Sequence, residues 1–261
     1  MDLRKTFSED VVLYEKYRPR YCPALFQSIV SRANLNRESL ALEIGCGTGQ
    51  ATKPFLETGS RVVAIELGQE MADFVREKYT GYPNFEVVCG EFEQYTGPET
   101  AFDLIYSATA FHWIPEEIGY PKVFNLLKPG GLVALFWNRP QPDLANLALH
   151  EQIQAVYTEY TERGIFKKSG TPMTGQTERR DGILRALQHA GFVDVQVQDF
   201  LAYRAFSAEE YVKLLDTYSD HRSLPADVKT EFYKKVKDAI LRHGDTIRLE
   251  DHMDLYMAKK P

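Results

Sequence analysis

Apolar positions come in short continuous runs, Leu40 to Ile44, Arg61 to Glu66, Phe102 to Ser107 and Leu132 to Trp137, with a weaker run at Phe85 to Cys89. Continuous rather than alternating apolarity marks strands covered on both faces, as in a parallel sheet. The segments Gly49 to Glu57, Gln69 to Tyr79 and Pro115 to Leu127 have the length of crossover helices, so this part of the chain reads as a βαβ series. The stretch LLKPGG, Leu126 to Gly131, has the lysine, proline and glycines of a helix stop and is read as the turn into the strand at Leu132.

The pattern differs on either side of that series. Pro23 to Ala33 reads as a helix with proline in its first turn, preceded by the aromatic and basic stretch YEKYRPRYCP. After Asn138, Leu144 to Tyr160 is predicted helical, GIFKKSGTPMTGQ is predicted to be a loop, and Glu178 to Ala190 is a helix closed by Gly191. Val193 to Phe200 alternates as VDVQVQDF, the pattern of a strand with one wet face, antiparallel and near an edge. Helices at Ala208 to Asp216 and Ala226 to Arg242 follow, the second with the apolar stripe Phe232, Val236 and Ile240, and a last strand lies in Leu255 to Ala258.

Composition narrows the function. With 261 residues, 44% of them hydrophobic, the chain can bury a substantial core. A net charge of −6 disfavours nucleic acid, and the densest basic group, Lys234, Lys235 and Lys237, reads as a solvated helix face. The start MDLRKTFSEDVV lacks the apolar centre of a signal peptide and no apolar run reaches bilayer length, so a cytoplasmic protein without a membrane partner is expected. Cys22, Cys46 and Cys89 form no C-x-x-C pair; they read as reduced thiols, and no metal site is expected.

Chemistry concentrates in ALEIGCGTGQAT, residues 41 to 52, where Gly45, Gly47 and Gly49 leave the backbone bare between a strand and a helix. The dinucleotide fingerprint is G-x-G-x-x-G with an acid at the end of the next strand. Here the spacing is G-x-G-x-G and the acid is Glu66, so the ribose-binding logic is kept. The phosphate logic is not, because Glu43 immediately precedes the loop and would repel a pyrophosphate. A ligand with a ribose, an adenine and a cationic group fits better, and S-adenosylmethionine has all three.

LEIGCGTG resembles the first motif of the class I S-adenosylmethionine-dependent methyltransferases, and the likeness extends over about residues 10 to 140. It is greatest to the type 11-like group that includes trans-aconitate and other small-acid methyltransferases. The resemblance implies a Rossmann-like, doubly wound seven-stranded α/β sheet, mostly parallel with an antiparallel last strand, plus helical cap insertions. It implies one methyltransferase domain over 1–261, with a cofactor-binding core at 35–140 and cap or lid segments at 1–34, 141–176 and 207–243. The cofactor-binding positions it indicates are Glu43, Gly45, Cys46, Gly47 and Gly49, with Glu66 on the ribose hydroxyls and Leu67 and Met71 flanking the adenine. Glu91 would take the adenine amino group, the Phe92 N–H a ring nitrogen, and Ser107 and Ala108 would lie near the methionine part. Relatives often have serine where this chain has Gly68, and their R-P-x-Y-P appears here as RPRYCP.

His112 and Trp113 follow the fourth strand, where open α/β sheets place ligands, and are read as substrate-pocket residues. His112 is also the candidate general base, a role that a carboxylate acceptor, already deprotonated, would not need. From the resemblance, Arg18 would pair a substrate carboxylate, with Tyr17, Tyr14 and Tyr21 lining the same lid. The remaining histidines show no ligand spacing. The expected reaction is methyl transfer to a small molecule by in-line displacement, yielding S-adenosylhomocysteine, in a monomer or weak homodimer. A nicotinamide-dependent oxidoreductase and a cofactor-binding protein without catalysis are the alternatives.

Overall fold

Seven strands form one sheet: β1 (Leu40–Ile44), β2 (Arg61–Glu66), β3 (Phe85–Cys89), β4 (Phe102–Ala108), β5 (Leu127–Pro142), β6 (Val193–Phe206) and β7 (Ile247–Lys259). The computed structural model describes residues 11–166 and 172–261, and the side chains of all of these except 172–176. The sheet order is β3-β2-β1-β4-β5-β7-β6, with six strands parallel and the last, β7, antiparallel between its neighbours. β1 pairs with β2 on one side and β4 on the other, Leu42 lying opposite both Val63 and Ile105. The direction of winding therefore reverses between β1 and β4, the switch point at which doubly wound sheets open a crevice beyond their strand ends.

Burial follows the apolar runs. Ala41, Leu42, Ala64, Leu104, Ile105 and Tyr106 have no exposed surface, as expected of central strands covered on both faces. β3 and β6 lie at the two edges, and β6 alternates between exposed and half-buried positions, as VDVQVQDF predicts. Its antiparallel pairing is with β7.

Ten α-helices occur among the described residues: α1 (Val11–Tyr17), α2 (Pro23–Ala33), α3 (Lys53–Leu56), α4 (Gln69–Lys78), α5 (Glu116–Leu126), α6 (Leu147–Glu162), α7 (Pro172–His189), α8 (Ala208–Leu215), α9 (Ser219–Arg222) and α10 (Ala226–Arg242). Four differ from the sequence pattern, α9 having no counterpart in it. The segment Gly49 to Glu57 is helical only over α3, because Gly49 has φ +79°, outside the right-handed helical region. α7 begins at Pro172 within the segment expected as a loop, proline being compatible with a first turn; residues 167–171 of that segment lie outside the described residues. α1 overlaps only the start of the aromatic and basic stretch, Tyr14 to Tyr17, within the cap segment the resemblance implies but where no individual helix is predicted.

β5 starts five residues early, at Leu127, because Gly130 N–H donates to the Lys260 carbonyl and Lys260 N–H returns to Gly131. A turn-like composition thus lies in a strand through a partner more than a hundred residues away.

The described residues fall into two compact units. The first comprises Arg20–Asn138, Gln176–Phe200 and Met253–Pro261; the second comprises the chain up to Pro19, Arg139–Gly175 and Leu201–His252. α2, expected in a cap, belongs to the first, where Leu25 and Ile29 are fully buried and Phe26 meets Phe55 and Phe136 edge to face. The second has its own core, in which the stripe Phe232, Val236 and Ile240 is fully buried and Tyr157 and Tyr160 pack edge to face on Phe232. α8 there is opened by a capping box between Ser207 and Glu210.

Candidate active site

The glycine loop leaves β1 at the switch point with Gly45, Gly47 and Gly49 at φ +70°, +56° and +79°, a left-handed region that side chains with a Cβ adopt at a cost. Space forbids a Cβ as well. One built on Gly45 would lie 2.5 Å from Ala110 Cβ, and one on Gly49 would lie 2.7 Å from Tyr79 Cε2. The loop therefore touches both the segment after β4 and the end of α4.

Its amides are already engaged. Gly45 and Cys46 N–H donate to the Ile65 carbonyl at 2.8 and 3.3 Å, Gly49 N–H to the Cys46 carbonyl at 2.8 Å, and Gly47 N–H to Glu66 Oε2 at 2.8 Å. A phosphate-binding loop keeps such donors turned outward; four of these are turned inward. Cys46 is buried, and burial beside two carboxylates pushes its thiol well above its usual pKa.

Glu66, at the end of β2, receives Gly47 N–H on one oxygen and Gly68 N–H on the other, the latter at 2.9 Å. Burial raises its pKa and those two amides oppose the rise. Each carboxylate oxygen has a second lone pair, so a fixed, bidentate acceptor remains for a vicinal diol. Glu43 differs: it has no exposed surface, and its Oε2 accepts from Thr52 Oγ1 at 2.6 Å and the Tyr106 hydroxyl at 2.9 Å. Its Oε1 is buried with no hydrogen-bond partner. Burial, and next the Glu66 charge among the raising causes, lifts Glu43 to about 7 against those two hydrogen bonds.

The other positions divide. Leu67 is half-buried beside Glu66, and Glu91 and Phe92 open a short turn after β3, with Phe92 buried under the Lys122 ammonium at 5.2 Å from its ring. Met71 is 2% exposed with Ala72 and Val75 on the core face of α4, leaving little surface for an adenine. Ser107 is fully buried and donates to the Ile44 carbonyl at 2.8 Å, a tie between β4 and β1.

The turn bearing His112 and Trp113 is aimed by Thr109, a β-branched residue at φ +55°. Such a conformation persists only where its surroundings impose it. Thr109 N–H donates to the Phe136 carbonyl at 2.8 Å, while its hydroxyl lies 2.6 Å from the Tyr21 hydroxyl and accepts from Asn138 N–H at 3.2 Å. Tyr21, expected on a lid with Tyr14 and Tyr17, is instead packed at 4.9 Å on Phe136 in the first unit.

His112 and Trp113 are both exposed, their rings 5.1 Å apart. His112 Nδ1 accepts from Trp137 Nε1–H at 3.1 Å. Although the residue is exposed overall, protein packed around the imidazole desolvates it, and this, followed by the nearby Arg179 charge, lowers the His112 pKa. Arg179 lies 4.4 Å over the Trp137 ring and is paired with Asp254 at 3.3 Å. Trp137, Arg179 and Asp254 carried no motif; only the pairing of strands and helices collects them.

Tyr17 and Arg18 belong to the second unit. Tyr17 is a core residue there, 7% exposed, and Arg18 lies between the Tyr14 and Tyr218 rings at 4.8 Å from each.

Comparison with known proteins bears on the fold and the family. A family model described as a methyltransferase domain matches residues 41–131. An uncharacterized methyltransferase of Schizosaccharomyces pombe is 23% identical over 90% of this chain and 87% of its own. A putative type II methyltransferase of Anaeromyxobacter dehalogenans has the same fold, with a TM-score of 0.64 at 18% identity over 94% of this chain and 98% of that one. So does phosphoethanolamine N-methyltransferase 2 of Haemonchus contortus, solved with S-adenosylhomocysteine and phosphomonomethylethanolamine, with a TM-score of 0.56 at 14% identity over 97% and 57%.

Proposed function

We propose that this chain, which belongs to the class I S-adenosylmethionine-dependent methyltransferases, methylates a small molecule, with an ionised oxygen such as a carboxylate as the favoured acceptor. The observation that carries the cofactor side is the inward hydrogen bonding of the glycine loop above two carboxylates. With Gly45, Cys46, Gly47 and Gly49 N–H engaged inward, such a loop offers a pyrophosphate few donors, and it suits a ligand bearing a diol and a positive charge.

S-adenosylmethionine, when bound, supplies a methyl group made electrophilic by the sulfonium. The chain's part is to hold and screen. Glu66 offers its free lone pairs to the ribose hydroxyls, held in place by Gly47 and Gly68 N–H. Glu43, buried with one oxygen unpartnered and held partly protonated near neutral pH, would be drawn into its ionised form by a nearby cation. Leu67, Glu91 and Phe92 form the adenine side, and His112 and Trp113 face the acceptor. Exclusion of water favours a reaction in which opposite charges neutralise each other.

The test is thermal shift with S-adenosylmethionine, S-adenosylhomocysteine and NAD. The first two should raise Tm at concentrations well above Kd and NAD should not. Glu66→Ala should abolish the shift. Stabilisation by NAD alone would favour an oxidoreductase, and stabilisation without labelled methyl transfer to any of a broad acceptor panel would favour a binding protein.

A further inference from the structure

An indole has one hydrogen-bonding group, and it can only donate. Because Trp137 Nε1–H reaches His112 Nδ1 at 3.1 Å, Nδ1 must carry the lone pair, and the neutral ring must hold its proton on Nε2. The opposite tautomer, and the doubly protonated ring, would each set two N–H groups against one another. Trp137 is 5% exposed, so water cannot replace the lost acceptor.

The indole is itself held. Arg179 stacks on it at 4.4 Å and is paired with Asp254, whose Oδ2 also accepts from the Tyr256 hydroxyl at 2.9 Å. The guanidinium adds a positive charge that opposes a second proton on His112. The turn that carries His112 adjoins the cofactor loop through Ala110, the residue a Cβ on Gly45 would strike.

We propose that Trp137 is a positioning residue that locks His112 with its proton on Nε2, so that His112 meets the methyl acceptor as a hydrogen-bond donor to an anionic oxygen. It does not remove the acceptor's proton. This rests on the methyltransferase reading and narrows its acceptor to acids ionised near neutral pH, carboxylates first. Such an oxygen has no proton to lose: its lone pair forms the new O–CH3 bond as the C–S bond breaks with its electrons left on sulfur. Nothing in that balance calls for a base. An amine or phenol acceptor would need one, and the only unprotonated nitrogen of His112 already serves Trp137.

The experiment is nitrogen-15 NMR of the histidine rings in the full chain, with His112 assigned by His112→Gln. Wild-type His112 should show an unprotonated Nδ1 and a protonated Nε2 and should titrate below free histidine. In Trp137→Phe the tautomers should mix and the titration move up. A wild-type ring with its proton on Nδ1, or a Trp137→Phe spectrum unchanged in tautomer and titration, overturns the lock. A panel of aliphatic mono-, di- and tricarboxylates is then added with S-adenosylhomocysteine, alongside the corresponding amides. At least one acid should shift the Nε2 resonance where its amide does not, and should bind His112→Ala about tenfold or more weaker than His112→Gln, which keeps a donor near Nε2. Equal response to acids and amides, or no response to any acid, overturns the donor role. The tautomer is read without methyl transfer, so it fails or stands separately from cofactor binding.

Discussion

Glu43 and Glu66 are separated by one strand pairing, yet their environments assign them different work. Glu66 is neutralised in part by two amides, whereas Glu43 has two hydroxyl donors on one oxygen and none on the other, which is why burial lifts it to about 7. A cation brought close would favour its ionised form, and by reciprocity the ionised form favours the cation. S-adenosylmethionine should therefore bind more tightly as pH rises from 6 to 8, and Glu43→Gln should flatten that dependence, as measured by calorimetric Kd values across the range. His112 and Glu43 were both visible as residue types near a ligand-binding motif. That one serves Trp137 and the other is closed off from solvent was not visible, because those facts depend on partners 25 and 63 positions away.

At the scale of elements, the loop Gly45–Gly49 acts as a spacer that lets β1, α4 and the segment after β4 approach. Gly49 is in contact with α4 on two sides: Tyr79 hydroxyl donates to its carbonyl at 2.8 Å, and a Cβ would press on Tyr79 and Val75. Gly49→Ala adds a left-handed alanine to that overlap and should destabilise the fold by about 2–4 kcal/mol. Chemical denaturation would check this; a loss below about 0.5 kcal/mol would mean that the loop relaxes freely. The strand runs were legible because a buried parallel strand is apolar along its whole length. The ends of β5, β6 and β7 were not, since pairing with one another extends them beyond their apolar cores. α7 was likewise foreshortened, its first turn being built from proline, threonine and glycine.

For the whole molecule, a buried acid carries a consequence for stability. The folded-state pKa of Glu43 is raised to about 7 above its ordinary value of 4.5, so the folded chain keeps a proton that the unfolded chain loses. Stability from this group is present below pH 4.5 and is lost as pH rises toward 7, by about 3 kcal/mol at most. Glu66 contributes with the same sign. Urea midpoints of the ligand-free chain should fall between pH 5 and 8, and the fall should be smaller in Glu43→Gln; an equal fall in both would place the titration elsewhere.

The sequence by itself determined the sheet and the ligand class. Continuous apolar runs specify covered strands, three glycines specify a backbone free of side chains, and the acids Glu43 and Glu66 beside them suggest a ligand with a ribose and a positive charge, all from local pattern and spacing. Tertiary structure alone decided how the groups are tuned. It closed Glu43 from water, spent the loop's amides inward, tied Ser107 to Ile44, placed Tyr21 and Tyr17 in different units, and put Trp137 against His112. Hydrogen-bond partners and burial belong to pairs of residues distant in the chain, and a residue's chemistry is set by those partners as much as by its type.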